Sequence, residues 1–301
     1  MKDSYRSISL IRFCRLLGVT RQAFYQHTWR SEEISVEAEL VIQQVIAIRK
    51  RHPVIGTRKL YVLLQPFLLE HQIKTGRDKL FDLLADYHLL IKRRRRRVST
   101  TQSYHRFHKY PNLVKEIELT GINQLWVSDI TFYKLKEKFV YISFITDAYS
   151  HKIIGYQLAQ TLEAVHSIAA LQMALQNLPS TSHTPVHHSD RGMQYCCDNY
   201  AQLLQEHAIP ISMTENGDPL ENAIAERVNG IIKHEYLNHR HYGSINELEE
   251  ALQQSVNLYN TERPHMSCSM FTPEMVQQNH LSINREWKTS YKSQKPLAIE
   301  E

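Results

Sequence analysis

Three acidic side chains stand out by type, setting and spacing. Asp129 sits in Trp126-Val127-Ser128-Asp129-Ile130-Thr131, Asp190 in His187-His188-Ser189-Asp190-Arg191-Gly192, and Glu226 in Glu221-Asn222-Ala223-Ile224-Ala225-Glu226-Arg227. Asp129 lies 61 positions before Asp190, and 35 residues separate Asp190 from Glu226. Aspartate is a poor strand residue, yet Asp129 occupies an apolar, β-branched stretch, so its presence argues for function. Brought together, three carboxylates repel and raise one another's pKa, so such a cluster makes sense mainly with cations bound. Hard cations such as Mg²⁺ want oxygen ligands and take only a few carboxylates, leaving places for water and phosphate. Two such cations roughly 4 Å apart activate an attacking oxygen and stabilise a leaving one in phosphodiester chemistry.

Competing chemistries are weaker. Ser189 lacks the G-x-S-x-G elbow of a hydrolase nucleophile. His187 and His188 are placed to help position a substrate, but their motif does not make them metal ligands. Asp147 closes an apolar stretch and fits a turn. His105 and His108 have no second ligand pair. The cysteines, Cys14, Cys196, Cys197 and Cys268, form no C-x-x-C pair, so neither a zinc knuckle nor a disulfide framework is expected.

The elements that must position the acids can be read from periodicity. Residues 124–135, 139–146 and 152–158 read as three strands joined by tight turns, a meander. A helix follows over 162–178, then a short buried strand over 184–188 that ends beside Asp190. Asp198 is the expected cap of a helix over 199–207, and 209–213 is the fifth strand. Asp218-Pro219 opens a long helix running through Leu237. On it Asn222, Glu226 and Lys233 fall at i, i+4 and i+11, one side of a helix, while Ile224, Val228 and Ile231 take another. Lys233 therefore stands on the same side as Glu226.

The front of the chain differs in texture and charge. Residues 9–17 have helical apolar spacing, Gly18-Val19 breaks it, and Thr20 is the expected N-cap of a short helix over 21–27. Helix, glycine turn, capped helix is the helix-turn-helix pattern. A second helical unit follows: an amphipathic helix over 36–51 ended by Pro53, one opening at Gly56-Thr57 with Arg58 and Lys59, and one opening at Thr75-Gly76-Arg77 with Lys79. Helix N-termini of this kind can hold phosphate. Lys92 and Arg93, Arg94, Arg95, Arg96 and Arg97 are six consecutive cations, most easily explained by a phosphate backbone that sheds counterions on binding. The first 110 residues carry 22 Lys/Arg against 9 Asp/Glu, and the remainder 14 against 22. A basic front joined to an acidic remainder suggests nucleic-acid binding joined to cation handling. No apolar run approaches the ~18 residues of a membrane span, and the N-terminus has no signal-peptide core; a cytoplasmic, nucleoid-associated protein is expected.

Taken together, three motifs match one family. Trp126-x-x-Asp129-Ile130-Thr131-x-Tyr133, His188-Ser189-Asp190-Arg191-Gly192-x-Gln194-Tyr195 and Asn222-Ala223-x-x-Glu226-Arg227 with Lys233 seven residues on resemble the acid motifs of OrfB-type insertion-sequence transposases of the DDE class. Tyr259-Asn260-x-x-Arg263-Pro264-His265 is similar to that family's C-terminal motif. The resemblance covers nearly the whole chain. It implies an α/β, ribonuclease-H-like core, a mixed five-stranded sheet flanked by helices, preceded by an all-α helix-turn-helix region. The expected organisation is a DNA-binding region over 1–97, a linker over 98–118, the catalytic core over 119–280 and a tail over 281–301. Asp129, Asp190 and Glu226 become the catalytic, metal-holding triad for two Mg²⁺ per site, with Mn²⁺ able to substitute. Arg263 and His265 join Lys233, Arg58, Arg77, Lys79 and Arg93–Arg97 as expected DNA contacts. The implied partners are the element's terminal inverted repeats, target DNA, further copies of the chain on DNA, and an OrfA partner or fusion; no membrane is involved. The alternative is a catalytically silent DNA-binding regulator derived from a transposase, against which the intact triad argues. A ribonuclease H acting on hybrids would need neither helical DNA-binding unit.

Overall fold

The computed structural model describes residues 9–91, 107–115, 117–179, 184–215, 222–279, 281 and 283. The chain forms two compact units: residues 9–51 with 56–91, and residues 52–55 with the described residues from 107 onward.

The first unit is helical. Helix α1 (Leu10–Leu16) is capped by Ser9, whose Oγ accepts from the Arg12 amide. Gly18 then turns the chain with a positive φ of 66°, a conformation open to glycine at little cost. Thr20 Oγ1 accepts from the Ala23 amide at 3.0 Å, as expected of an N-cap. The helix it starts, α2 (Arg21–Arg51), is 31 residues long. This corrects the expectation of a short helix over 21–27 followed by a separate one over 36–51: no Gly or Pro interrupts positions 24–51, so nothing breaks the helix before His52-Pro53. Helices α3 (Thr57–Glu70) and α4 (Arg77–Asp86) begin where expected. They bury Leu60, Leu64, Leu68, Leu80 and Leu84.

The second unit is built on a five-stranded sheet in the order β3-β2-β1-β4-β5. Strands β1 (Leu125–Leu135), β2 (Lys138–Asp147) and β3 (Ile153–Ala159) form the antiparallel meander; β4 (Val186–Ser189) and β5 (Ile211–Met213) add to it in parallel. Helices cover both faces. Alternate side chains of β1 and β2, among them Tyr133, Ile142 and Phe144, pack under α8 (Ala223–Ile231) and α9 (Ile245–Thr261). The opposite alternation, with Trp126 and Ile145, packs under α5 (Ala164–Gln176) and α7 (Asp198–Glu206). Helix α5 crosses β3 so closely that a Cβ on Gly155 would lie 2.1 Å from the Ala170 carbonyl oxygen; only glycine allows that approach. Asp198 is the first residue of α7 and not its cap, a place held by Cys197.

The short helix α6 (Met193–Cys196) follows β4, and α10 (Pro273–Asn279) ends the described core. The long helix expected to run through Leu237, α8, departs from expectation. It is α-helical only to Ile231, widens to a π-turn over Ile232–Tyr236 and tightens to a 3₁₀ turn over Leu237–His239. Wide turns of this kind re-aim the side chains that follow them. No described helix is long and apolar enough to cross a membrane.

Candidate active site

Sheet register brings the first two acids together. β1 and β4 are parallel neighbours whose last registered pair is Ser128 with Ser189. The next residue on each is an aspartate, Asp129 and Asp190, on chains about 4.8 Å apart. β4 stops at that point. Asp190 Oδ1 accepts from the Gly192 amide at 3.0 Å, and a Cβ on residue 192 would come within 3.0 Å of that oxygen. The glycine in the second motif is thus explained by the tight turn beneath the acid.

The third acid arrives on α8, which lies along β1. Asn222 Nδ2 donates to the Ser128 carbonyl at 2.9 Å, and Asn229 Nδ2 to Asp129 Oδ2 at 2.7 Å. Lys233 Nζ donates to Thr131 Oγ1 at 3.1 Å and to the Phe132 carbonyl at 2.7 Å. The helical ladder 222, 226, 229, 233 therefore tracks β1 residue by residue, with Glu226 on the rung between Asn222 and Asn229. Asn229 was missed in the sequence reading, although it stands at i+7 from Asn222, a spacing that could have found it.

The electrostatics couple the three acids. Burial raises the Asp129 carboxyl to about 7; the Asp190 charge adds to the rise and Glu226 adds less, against hydrogen bonds from the Ile130 amide and Asn229. Lys233 is lowered by burial, partly offset by its attraction to Asp129. The donor set is all oxygen, the chemistry a hard cation prefers. Asn222 Oδ1, Asn229 Oδ1 and Tyr195 Oη are buried there without a hydrogen-bond partner among the described residues, and the Tyr195 hydroxyl is raised by burial and by the Asp129 and Asp190 charges. The site is not a preformed cage, however. Among the described residues no three His, Cys, Asp or Glu side chains converge closely enough to hold a metal ion. Glu226, the exposed member, has the side-chain freedom to close the set.

Several other expectations change. His187 and His188 are fully buried. His187 Nε2 lies 2.7 Å from Ser128 Oγ and 2.9 Å from Tyr200 Oη, and its burial holds the ring neutral, with a pKa down to about 3. His188 Nδ1 meets Ser212 Oγ at 2.8 Å. Ser189 is buried too. Asp147 is the turn residue expected: its carboxylate accepts from the Asn123 amide and from the Ser150 amide and hydroxyl, each at 2.7 Å.

The C-terminal motif is bonded internally, as a brace. Arg263 and His265, expected at DNA, are 1% and 5% exposed. Arg263 makes a two-pronged pair with Glu235 on the π-turn, both bonds at 2.8 Å, and contacts His265 Nε2 at 3.0 Å. Asn260 takes both the amide and the carbonyl of Ile153, at 3.0 and 2.9 Å, and so satisfies the backbone of the first residue of β3. Tyr259 Oη donates to the His151 carbonyl at 2.9 Å. In the first unit Arg58, Arg77 and Lys79 are exposed, and Arg77 Nε pairs with Asp78 at 2.9 Å. Arg93–Arg97 lie outside the described residues, as do residues 98–106 and 116 of the expected linker.

Known proteins similar to this chain were found at three levels. Two models of the integrase core domain match, one over residues 120–219 and the other over 207–273. An uncharacterized 31 kDa protein of insertion element IS600 from Shigella sonnei is 30% identical over 272 residues, 89% of this chain and 98% of its own length. The transposase for insertion sequence element IS629 from the same organism is 31% identical over 71% of this chain and 70% of its own. Among solved structures, the HTLV-2 integrase catalytic core domain in complex with magnesium aligns with 52% of this chain and 96% of its own, at 21% identity and a TM-score of 0.43. The chain belongs to the insertion-sequence transposases of the DDE integrase family.

Proposed function

We propose that this chain is an active transposase that cuts and joins DNA strands at Asp129, Asp190 and Glu226. One observation carries the reading: Asp129 and Asp190 follow the last registered pair of two parallel strands, and both Asp190 and Glu226 act on the Asp129 charge. Natural proteins rarely gather like charges unless a ligand repays the repulsion. Two divalent cations, Mg²⁺ or Mn²⁺, bound between these carboxylates would supply an activated oxygen nucleophile and a stabilised leaving oxygen. The chain's own residues do the rest. Asn229 holds the Asp129 carboxylate in orientation, and Asn222 pins α8 to β1 so that Glu226 stays beside the strand pair. Lys233 has three donors, two of them committed to β1, and the third is placed for a DNA phosphate. The exposed Arg58, Arg77 and Lys79, with the basic run Arg93–Arg97, would bind the element's ends. Two ends must be brought together, so the working form is a multimer on DNA, in the cytoplasm, with or without an OrfA partner.

A labelled duplex carrying the element's end tests this on a denaturing gel. Strand cleavage or joining is expected with Mg²⁺, and neither with EDTA nor with Glu226→Gln protein. Cleavage retained by Glu226→Gln would refute the site. Specific binding without cleavage, unchanged when OrfA is added, would favour a silent regulator.

A further inference from the structure

The tip of the β1–β2 hairpin carries a surface that the proposed chemistry does not use. Residues directly opposite in an antiparallel pair share a face, and the register pairs Phe132 with Tyr141 and Lys134 with Phe139. Phe132 and Phe139 are 49% and 52% exposed. Their rings meet edge to face, with centroids 5.6 Å apart. Single exposed aromatics are ordinary, but two in contact keep a large apolar area in water. Cations surround them. Lys233 Nζ lies 4.4 Å from the centre of the Phe132 ring. Lys134 stands on the same face, ion-paired with Glu137 at 3.6 Å, and Lys136 and Lys138 are exposed at the turn. Exposed aromatics among lysines are the footprint of single-stranded nucleic-acid binding, in which bases stack on the rings and cations follow the backbone.

Position selects the kind of strand. Phe132 lies three residues along β1 from Asp129, about 10 Å at 3.3 Å per residue, a span of roughly three stacked nucleotides; it takes the opposite alternation of the strand, and Lys233, bonded to Thr131 and lying over the Phe132 ring, links the two sides. A base inside a duplex has both faces covered by its neighbours, so only an unpaired or terminal base has a π-face for Phe132. We propose that Phe132 and Phe139 form a stacking platform for unpaired nucleotides of the DNA strand that lies beside the acid site, with Lys134 and Lys233 neutralising its backbone. The proposal rests on the reading of this chain as a transposase, and binding in EDTA, where no strand is cut, tests the platform apart from catalysis.

The experiment measures affinity of the full chain for three versions of the element's end: blunt, with three unpaired nucleotides on one strand, and with three on the other. A 2-aminopurine replaces one of the unpaired bases. We expect wild-type protein to prefer one unpaired end over the blunt duplex by about tenfold and to quench its 2-aminopurine. Phe132→Ala/Phe139→Ala is expected to lose both effects while blunt-duplex affinity changes less than about twofold. Phe132→Leu/Phe139→Leu, which keeps apolar bulk without a ring, is expected to behave like the alanine protein. Equal binding of all three DNAs by wild type, an unchanged preference in the alanine protein, or a leucine protein that keeps the preference would each overturn the platform. Self-association of wild type that disappears in the alanine protein, with the unpaired-end preference intact, would assign the face to a second copy instead. Loss of Mg²⁺-dependent cleavage in Glu226→Gln has no bearing on these binding results, and the two readings therefore fail separately.

Discussion

The core holds two clusters of charged side chains that are built in opposite ways. At the C-terminal brace, Arg263 and Glu235 have opposite charges, meet through two 2.8 Å bonds and leave only 1% of Arg263 exposed. Charge and hydrogen-bonding capacity are met inside the protein. At the acid site, Asp190 and Glu226 add to the burial that raises Asp129 to about 7, and buried amide oxygens of Asn222 and Asn229 have no partner among the described residues. Asp147 sharpens the contrast: another buried acid of the same sheet, it is enclosed by three short hydrogen bonds. A charged motif whose valences are met internally holds the fold, whereas one left in conflict is arranged for something to bind.

The comparison predicts separable failures. Asp190→Asn or Glu226→Gln should lower strand cleavage on the order of 10³-fold or more, since a catalytic metal site supplies several kcal/mol. The metal-free melting temperature should hold or rise, because a repulsion is removed. A large drop in stability would place these acids with the brace. Arg263→Ala should do the reverse, costing about 3–5 kcal/mol of folding stability, as expected when one member of a buried pair is removed. Urea unfolding checks it, and Arg263→Lys should rescue little because lysine lacks the planar fork. A stable Arg263→Ala protein with normal folding but weak DNA binding would favour the DNA-contact reading.

Asn229→Ala should cost about 10–100-fold in activity, the usual effect of losing a partner that orients a metal ligand, with a higher Mg²⁺ requirement and near-normal melting. Unaltered Mg²⁺ dependence would reduce Asn229 to packing. The smallest effect is on pH. Folded Asp129 holds its proton more tightly than in the unfolded chain, whose value is near 3.8. Metal-free protein should therefore lose stability as pH rises from about 4 to about 7, since the folded state binds more protons across that window. Mg²⁺ should flatten or reverse the slope by favouring the ionised carboxylate. Melting curves in EDTA and in Mg²⁺ decide it; parallel curves would mean that Asp129 does not feel the cation.

Much of this was legible in residue pattern. The five strands, their order along the chain, the cap at Thr20, and the shared face of Asn222, Glu226 and Lys233 follow from local rules, because period and capping are properties of neighbouring residues. The unbroken α2 was misread for want of weight on a simple fact, the absence of Gly and Pro over 24–51. The C-terminal motif was recognisable as a motif but not as a brace. Its partners, Glu235 and Ile153, lie 28 and 107 positions away, and no local pattern announces them.

The sequence by itself determined which residue types were available for phosphoryl chemistry, the alternation that makes two helix-covered sheet faces, and the helical ladder on α8. Tertiary structure alone decided which charges are compensated. The β1–β4 register set Asp129 against Asp190, and the π-turn that follows α8 carries Glu235 to Arg263. Both outcomes depend on burial and on partners far along the chain, which set the cost of each charge and are not written at the position that carries it.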